Sequence, residues 1–205
     1  MSEAADGAAD EARPPGGGGH ARDSGRDHGD SGTSGVPVPR DVVAVRDVVA
    51  AQLGRAPRAM RRVAHRCSCG LPDVVETAPR LPDGTPFPTL FYLTCPVAAA
   101  AVGRLESEGL MRRMNQRLAT DPELAGRYAA AHQDYLRRRD SLGRLPGDPG
   151  VGGMPGRVKC LHALVAHSLA AGPGVNPLGD ETLALLADWG TGGPCVHVPS
   201  EGSSS

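Results

Sequence analysis

The chain has 205 residues and a formal net charge of −1. That length suits one domain with tails, and that charge excludes overall electrostatic steering towards nucleic acid. Aromatic residues make up 3% of the chain, too few to interleave with basic side chains as a base-stacking surface, so nucleic acid is not an expected partner. No apolar run reaches membrane-spanning length, and Met1-Ser2-Glu3-Ala4-Ala5-Asp6 lacks the basic start and apolar core of a secretory signal. The expected compartment is the cytoplasm. There the five cysteines would be thiols or metal ligands, not a disulfide framework.

Residues 1–39 are rich in Gly, Asp, Ala, Ser, Arg and Pro and hold almost no large apolar side chain, so they are expected to be a disordered tail. A globular domain is expected over 40–189 and a second disordered tail over 190–205, which sets Cys195 and His197 outside the main site. Asp41 caps a predicted helix running to Leu53, with Val42, Val45, Val48 and Val49 on one side. Arg55, Arg58, Arg61, Arg62 and Arg66 follow. They form either a solvated basic edge or a patch for an acidic or phosphorylated ligand. Strands are predicted at Met60–Arg66, around Val74, Val75 and Thr77, and at Thr89–Thr94. Leu81-Pro82-Asp83-Gly84-Thr85 forms a tight turn before the last of them.

In such an antiparallel meander the first and third strands run the same way. Cys67 and Cys69 follow the first and Cys95 follows the third, so all three emerge at one end of the sheet, within about 10 Å at the usual strand spacing. Pro96 starts a helix immediately after Cys95, a position that lowers a thiol pKa through the helix dipole. Helices are then predicted over Val97–Glu108, Leu110–Ala119 and from Pro122 to Leu142. In the last, Leu124, Tyr128, Ala131 and Tyr135 form the buried stripe, and Arg127, Arg137, Arg138, Arg139, Asp134 and Asp140 form a solvated face. A loop over Gly143–Gly156 leads to the most apolar helix, predicted from Pro155 to Ala171. The final helix is predicted from an Asp180 cap to Trp189. The fold class is thus α+β: a small antiparallel three-stranded sheet packed against five or six helices.

On the Pro155–Ala171 helix, Cys160 and His167 lie at one edge of the apolar face, and His162 lies about 200° from Cys160. One ion could take the first two but not easily Cys160 with His162. The candidate metal ligands are therefore Cys67, Cys69, Cys95, Cys160 and His167. Zinc is the expected ion, with an iron–sulfur cluster second; buried core thiols are the rival explanation. Lys159 is the one lysine among 22 basic residues, which singles it out as a compact point charge. With Arg80 and Arg157 it makes an anion-binding set beside the Gly152-Gly153 loop, although no P-loop order is present.

Long stretches resemble the actinobacterial domain-of-unknown-function family 501. They are Ala78-Pro79-Arg80-Leu81-Pro82-Asp83-Gly84-Thr85-Pro86-Phe87-Pro88-Thr89-Leu90, then Gly152-Gly153-Met154-Pro155, then Arg157-Val158-Lys159-Cys160-Leu161-His162-Ala163-Leu164, and Gly172-Pro173-Gly174-Val175-Asn176-Pro177-Leu178-Gly179-Asp180. The resemblance covers about 41–189. It implies no activity. The family's usual gene neighbours, which include a septum-formation initiator and an exopolyphosphatase-type phosphatase, imply a cell-division or phosphate-metabolism setting.

Three functions remain open on this reading: a Cys/His metal-binding module, a phosphate- or nucleotide-handling enzyme using Arg157 and Lys159, and a non-catalytic partner of the division or envelope machinery. Removing residues 1–39 is expected to leave the melting temperature unchanged by calorimetry; a loss of several degrees would show that the segment docks on the domain.

Overall fold

The computed structural model describes residues 40–147, 149–186 and 189–197, with side chains from residue 44 onward. The expected tail over 1–39 lies outside the described residues. Six helices and three strands are present among those described, in the order α1 (Arg40–Leu53), β1 (Met60–Arg66), β2 (Pro72–Thr77), β3 (Phe91–Leu93), α2 (Pro96–Ser107), α3 (Leu110–Thr120), α4 (Pro122–Asp140), α5 (Leu161–Ala171) and α6 (Pro177–Ala184). The architecture is α+β. No described helix is long and apolar enough to cross a membrane.

The sheet is an antiparallel meander in the order β1-β2-β3. Val63 pairs with Val75, and Val75 with Tyr92. The central strand β2 is buried along its whole length, as a strand with partners on both sides should be. β3 is shorter than the expected Thr89–Thr94 segment. Its pairing with β2 is nonetheless prolonged by bonds from the Thr77 N–H to the Leu90 carbonyl and from the Thr94 N–H to the Asp73 carbonyl, each 2.8 Å. The turn before it forms as its residues dictate: Gly84 takes φ +84°, and the Asp83 carboxylate accepts the Thr85 N–H at 2.9 Å.

α5 is the central element, packed against β3, α2 and α6. Leu161, Leu164, Val165, Ala166, His167 and Ser168 are all buried. It begins at Leu161, six residues later than Pro155, where the sequence pattern placed its start. The intervening loop turns back on itself through Gly152 and Gly153, both at positive φ, and the Lys159 N–H reaches the Gly152 carbonyl at 2.7 Å. A Cβ on Gly153 would stand 2.5 Å from the Arg157 carbonyl oxygen, so this approach is open only to glycine. The Val158 backbone is held by one side chain: its N–H donates to Asn115 at 2.7 Å and its carbonyl accepts from Asn115 at 3.0 Å.

Two further boundaries differ from expectation. α6 begins at Pro177, capped by the Asn176 side chain, which accepts the Gly179 N–H at 3.0 Å. Proline suits that first helical position. Asp180 instead accepts the Gly174 N–H at 2.7 Å. On α4, Arg139 does not belong to the solvated face but is fully buried. The helical repeat explains this, since Tyr128, Tyr135 and Arg139 fall on one stripe. Its guanidinium donates to the Asp140 carboxylate at 3.2 Å and to the Pro149 carbonyl.

Tyr135 ties α4 to the sheet. Its hydroxyl accepts the buried Leu90 N–H at 2.5 Å, and its ring packs edge-on against Phe91. Tyr135→Phe keeps the ring and orphans that N–H. The expected outcome is a loss of about 1–3 kcal/mol in unfolding free energy by urea titration.

Candidate functional site

Cys160 is not a helical residue. It is the N-cap of α5, with extended backbone at φ −153° and ψ 112°. The helical-wheel separation of Cys160 from His162 therefore does not apply, and the two side chains come together. With Glu106 they form a trio whose ligating atoms all lie within 4.8 Å of one another, the one such group of His, Cys, Asp and Glu among the described residues. α2 contributes the carboxylate. Glu106 Oε1 accepts the Leu161 N–H at 2.7 Å, so it occupies the N-terminus of α5, where the dipole favours an anion. The same oxygen is 3.3 Å from His162 Nδ1, and His162 Nε2 faces the Ala99 carbonyl at 3.1 Å.

The electrostatics follow from these contacts. The hydrogen bond from His162 holds the Cys160 thiol below its usual 9.0. The same bond is the largest influence raising the imidazole, which rises to about 9 with the help of Glu106 and against the effect of burial. Cys160 and His162 line a cleft of about 730 Å³, together with Tyr92, Thr94, Ala99 and Gly152. A thiol and an imidazole thus stand on a concave, partly apolar wall, the usual setting for small-molecule chemistry, with the Glu106 carboxylate within 4.8 Å of both.

The other thiols assemble elsewhere. Cys67 and Cys69 interact with each other, Cys69 also with Cys195, and Cys195 with Cys95. Cys195, set apart with the tail by its position in the sequence, is a full member of this group. The sheet end where β1 and β3 both finish supplies the first three. Cys95 does stand at the N-cap of α2, but burial outweighs the dipole and pushes its thiol up to about 12. Cys67 is also raised, chiefly by burial. Cys69 is lowered despite burial, by hydrogen bonds from Leu71, Cys67 and Cys195.

His167 joins neither group. Its Nε2–H donates to Asp134 at 3.0 Å, its Nδ1 accepts from the Asn176 amide at 3.3 Å, and its ring stacks on Phe91 with 6.0 Å between centroids. Both nitrogens are engaged by a neutral imidazole. Arg80, Arg157 and Lys159 are all exposed, and none of them lines the cleft that holds Cys160 and His162. Arg80 bonds to the Gly84 carbonyl at 3.1 Å within its own turn, and Lys159 borders a shallow hollow with Met111 and Asn115. The anion position at the start of α5 is filled by Glu106.

Glu106 and His162 are the site residues that sequence reasoning missed. The usable signal was Cys160-Leu161-His162 itself, because a cysteine at an N-cap and a histidine one residue into the helix can face the same point. The protein-family comparison matches the chain over residues 63–184 to the family described as Protein of unknown function (DUF501). No curated protein and no solved structure matches it.

Burial lowers the His167 pKa from 6.5 against the pull of Asp134. Stability from the neutral ring is therefore complete above that ordinary value and is lost as pH falls below it. Asp134 is lowered from 3.8, despite its own burial, by Arg138 and His167, so its contribution fades only in stronger acid. His162, raised to about 9, acts in the opposite sense over the same range, so the comparison isolates His167: between about pH 7.5 and 5.5, the parent protein should lose stability relative to His167→Gln as pH falls, by urea titration.

Proposed function

The chain belongs to the DUF501 family, and from that premise we propose that it is a metal-binding protein whose Glu106, Cys160 and His162 hold a zinc-type ion at the wall of the cleft. The observation that carries this is the mutual approach of the three ligating atoms within 4.8 Å. Ligand atoms around a tetrahedral zinc ion stand about 3.3–3.8 Å apart, given bonds of about 2.0–2.3 Å, so small side-chain rotations close the set. The histidine arrangement supports it. A ligating imidazole typically donates its second N–H to a carbonyl or carboxylate, and His162 Nε2 faces the Ala99 carbonyl at 3.1 Å.

Three ligands of mixed type leave a fourth position, and two of the three, Cys160 and His162, line the cleft. This is the pattern of ions that activate water or polarise a bound oxygen, in contrast to closed structural sites with four protein ligands. A single thiolate is a poor basis for an iron–sulfur cluster at this trio. The phosphate- or nucleotide-handling alternative would rest on the ion itself, because Arg80, Arg157 and Lys159 do not line the cleft.

Elemental analysis of the purified protein tests the proposal. Cys160→Ser is expected to lose one equivalent of zinc, and Cys160 should resist iodoacetamide until a chelator is added. Unchanged metal content in Cys160→Ser, with fast alkylation of the untreated protein, would instead identify a thiolate–imidazolium nucleophile.

A further inference from the structure

We propose that Cys67, Cys69, Cys95 and Cys195 form a second metal site, a closed four-thiolate zinc centre that fastens residues 189–197 to the end of the sheet. It is separate from the trio at the cleft and does not depend on it.

Four of the five cysteines of the chain meet here from three distant segments. Cys67 and Cys69 come from the β1–β2 connection, where the Gly70 N–H bonds to the Cys67 carbonyl and the Cys67 N–H to the Leu71 carbonyl, at 2.8 and 2.9 Å. Cys95 leaves β3, which runs in the same direction as β1. Cys195 arrives beyond α6. Cys67 and Cys69 interact, as do Cys69 and Cys195, and Cys195 and Cys95, and the Gln52 amide, bonded to both the Pro72 carbonyl and the Cys195 sulfur, holds Cys195 at this end of the sheet. No three of the sulfurs lie mutually within 4.8 Å. Moving a sulfur between staggered χ1 wells shifts it by about 3 Å, the scale of adjustment that gathering the four around one ion requires.

The surroundings are those of a metal–thiolate centre. A buried four-thiolate ion carries net negative charge and needs N–H donors around its sulfurs. Gln52 supplies one: its amide Nε2 donates to the Cys195 sulfur at 3.2 Å, and the same amide holds the Pro72 carbonyl at 2.6 Å. Gln52 is itself 8% exposed, and its Oε1 has no hydrogen-bond partner among the described residues. The Pro72 carbonyl fixes which way the amide faces, and its second N–H is left for the Cys195 sulfur, which accepts better as a thiolate than as a thiol. Leu71 provides another hydrogen bond to Cys69, and the Ser68 hydroxyl lies 3.9 Å from the Cys67 sulfur. The approach is close elsewhere too: a Cβ on Gly190 would come within 3.0 Å of the Cys67 sulfur. Four thiolates in tetrahedral reach select zinc among the common divalent ions.

The test is native mass spectrometry of the full-length protein with its metals retained. The parent chain is expected to carry two zinc ions. Cys195→Ser should carry one fewer, Cys160→Ser also one fewer, and the double variant none. Gln52→Leu keeps every ligand and should weaken retention of the thiolate-bound zinc by about 10–100-fold in a chelator competition. A Cys195→Ser protein with the parent's zinc content overturns the proposal, as does iron in place of zinc or a disulfide within the group. Because a cysteine variant could misfold, alkylation mapping of the parent provides a second readout. Cys67, Cys69, Cys95 and Cys195 should be protected together, and their free reaction with zinc present would overturn the assignment. Loss of zinc in Cys195→Ser alone, with Cys160→Ser unchanged, would retain this site and reject the trio.

Discussion

Burial of α5 on almost every side is the constraint from which the remaining arrangement follows. Such a helix can exist only if each polar group it carries finds a partner inside the protein. His167 is fully buried and is satisfied by Asp134 of α4 on one nitrogen and Asn176 on the other. Ser168 donates to the Asn176 carbonyl at 3.2 Å, and Asn176 also caps α6. One asparagine thus positions two helices. At the other end, Glu106 satisfies the first N–H of α5, which places a carboxylate beside Cys160 and His162. The trio is a consequence of how the ends of a buried helix are finished.

The two thiol environments differ for a similarly physical reason. Cys160 stands at a helix start beside an imidazole and a cleft, where charge is tolerated. Cys95 also stands at a helix start but is wholly buried, and desolvation prevails over the dipole. Position relative to a helix is therefore a weaker guide to thiol character than water access. The grouping of Cys67, Cys69 and Cys95 follows from strand direction alone, because every second strand of a meander ends on the same side.

Strand direction was also what the sequence made most readable. Met60–Arg66 has its predicted bounds, and the Pro-Asp-Gly turn is where its residues demand it. The meander, and with it the convergence of three cysteines, came from local signals. The start of α5 was not readable. Pro155 looks like a first helical residue and Val158 continues the apolar period of Leu161 and Leu164. What keeps Val158 out of the helix is the Asn115 side chain, 43 residues away, a contact no local pattern contains. That one displacement moved Cys160 from the wheel to the cap and hid its meeting with His162. Arg139 was misjudged for the opposite reason: charge suggested surface, but its period placed it inside. Cys195 was set aside because a Gly-, Ser- and Pro-rich stretch reads as solvated chain even when one of its side chains packs against the core.

The bond between Gln52 and Cys195 joins residues 143 positions apart. A ribosome adding about 5–20 residues per second needs roughly 7–30 seconds to travel that distance. During that interval the end of α1 and the β1–β2 connection are out of the ribosome and have no Cys195 to meet. The sheet end is completed only after Cys195 has been made, so a chain cut short before it lacks the last member of its own thiol group.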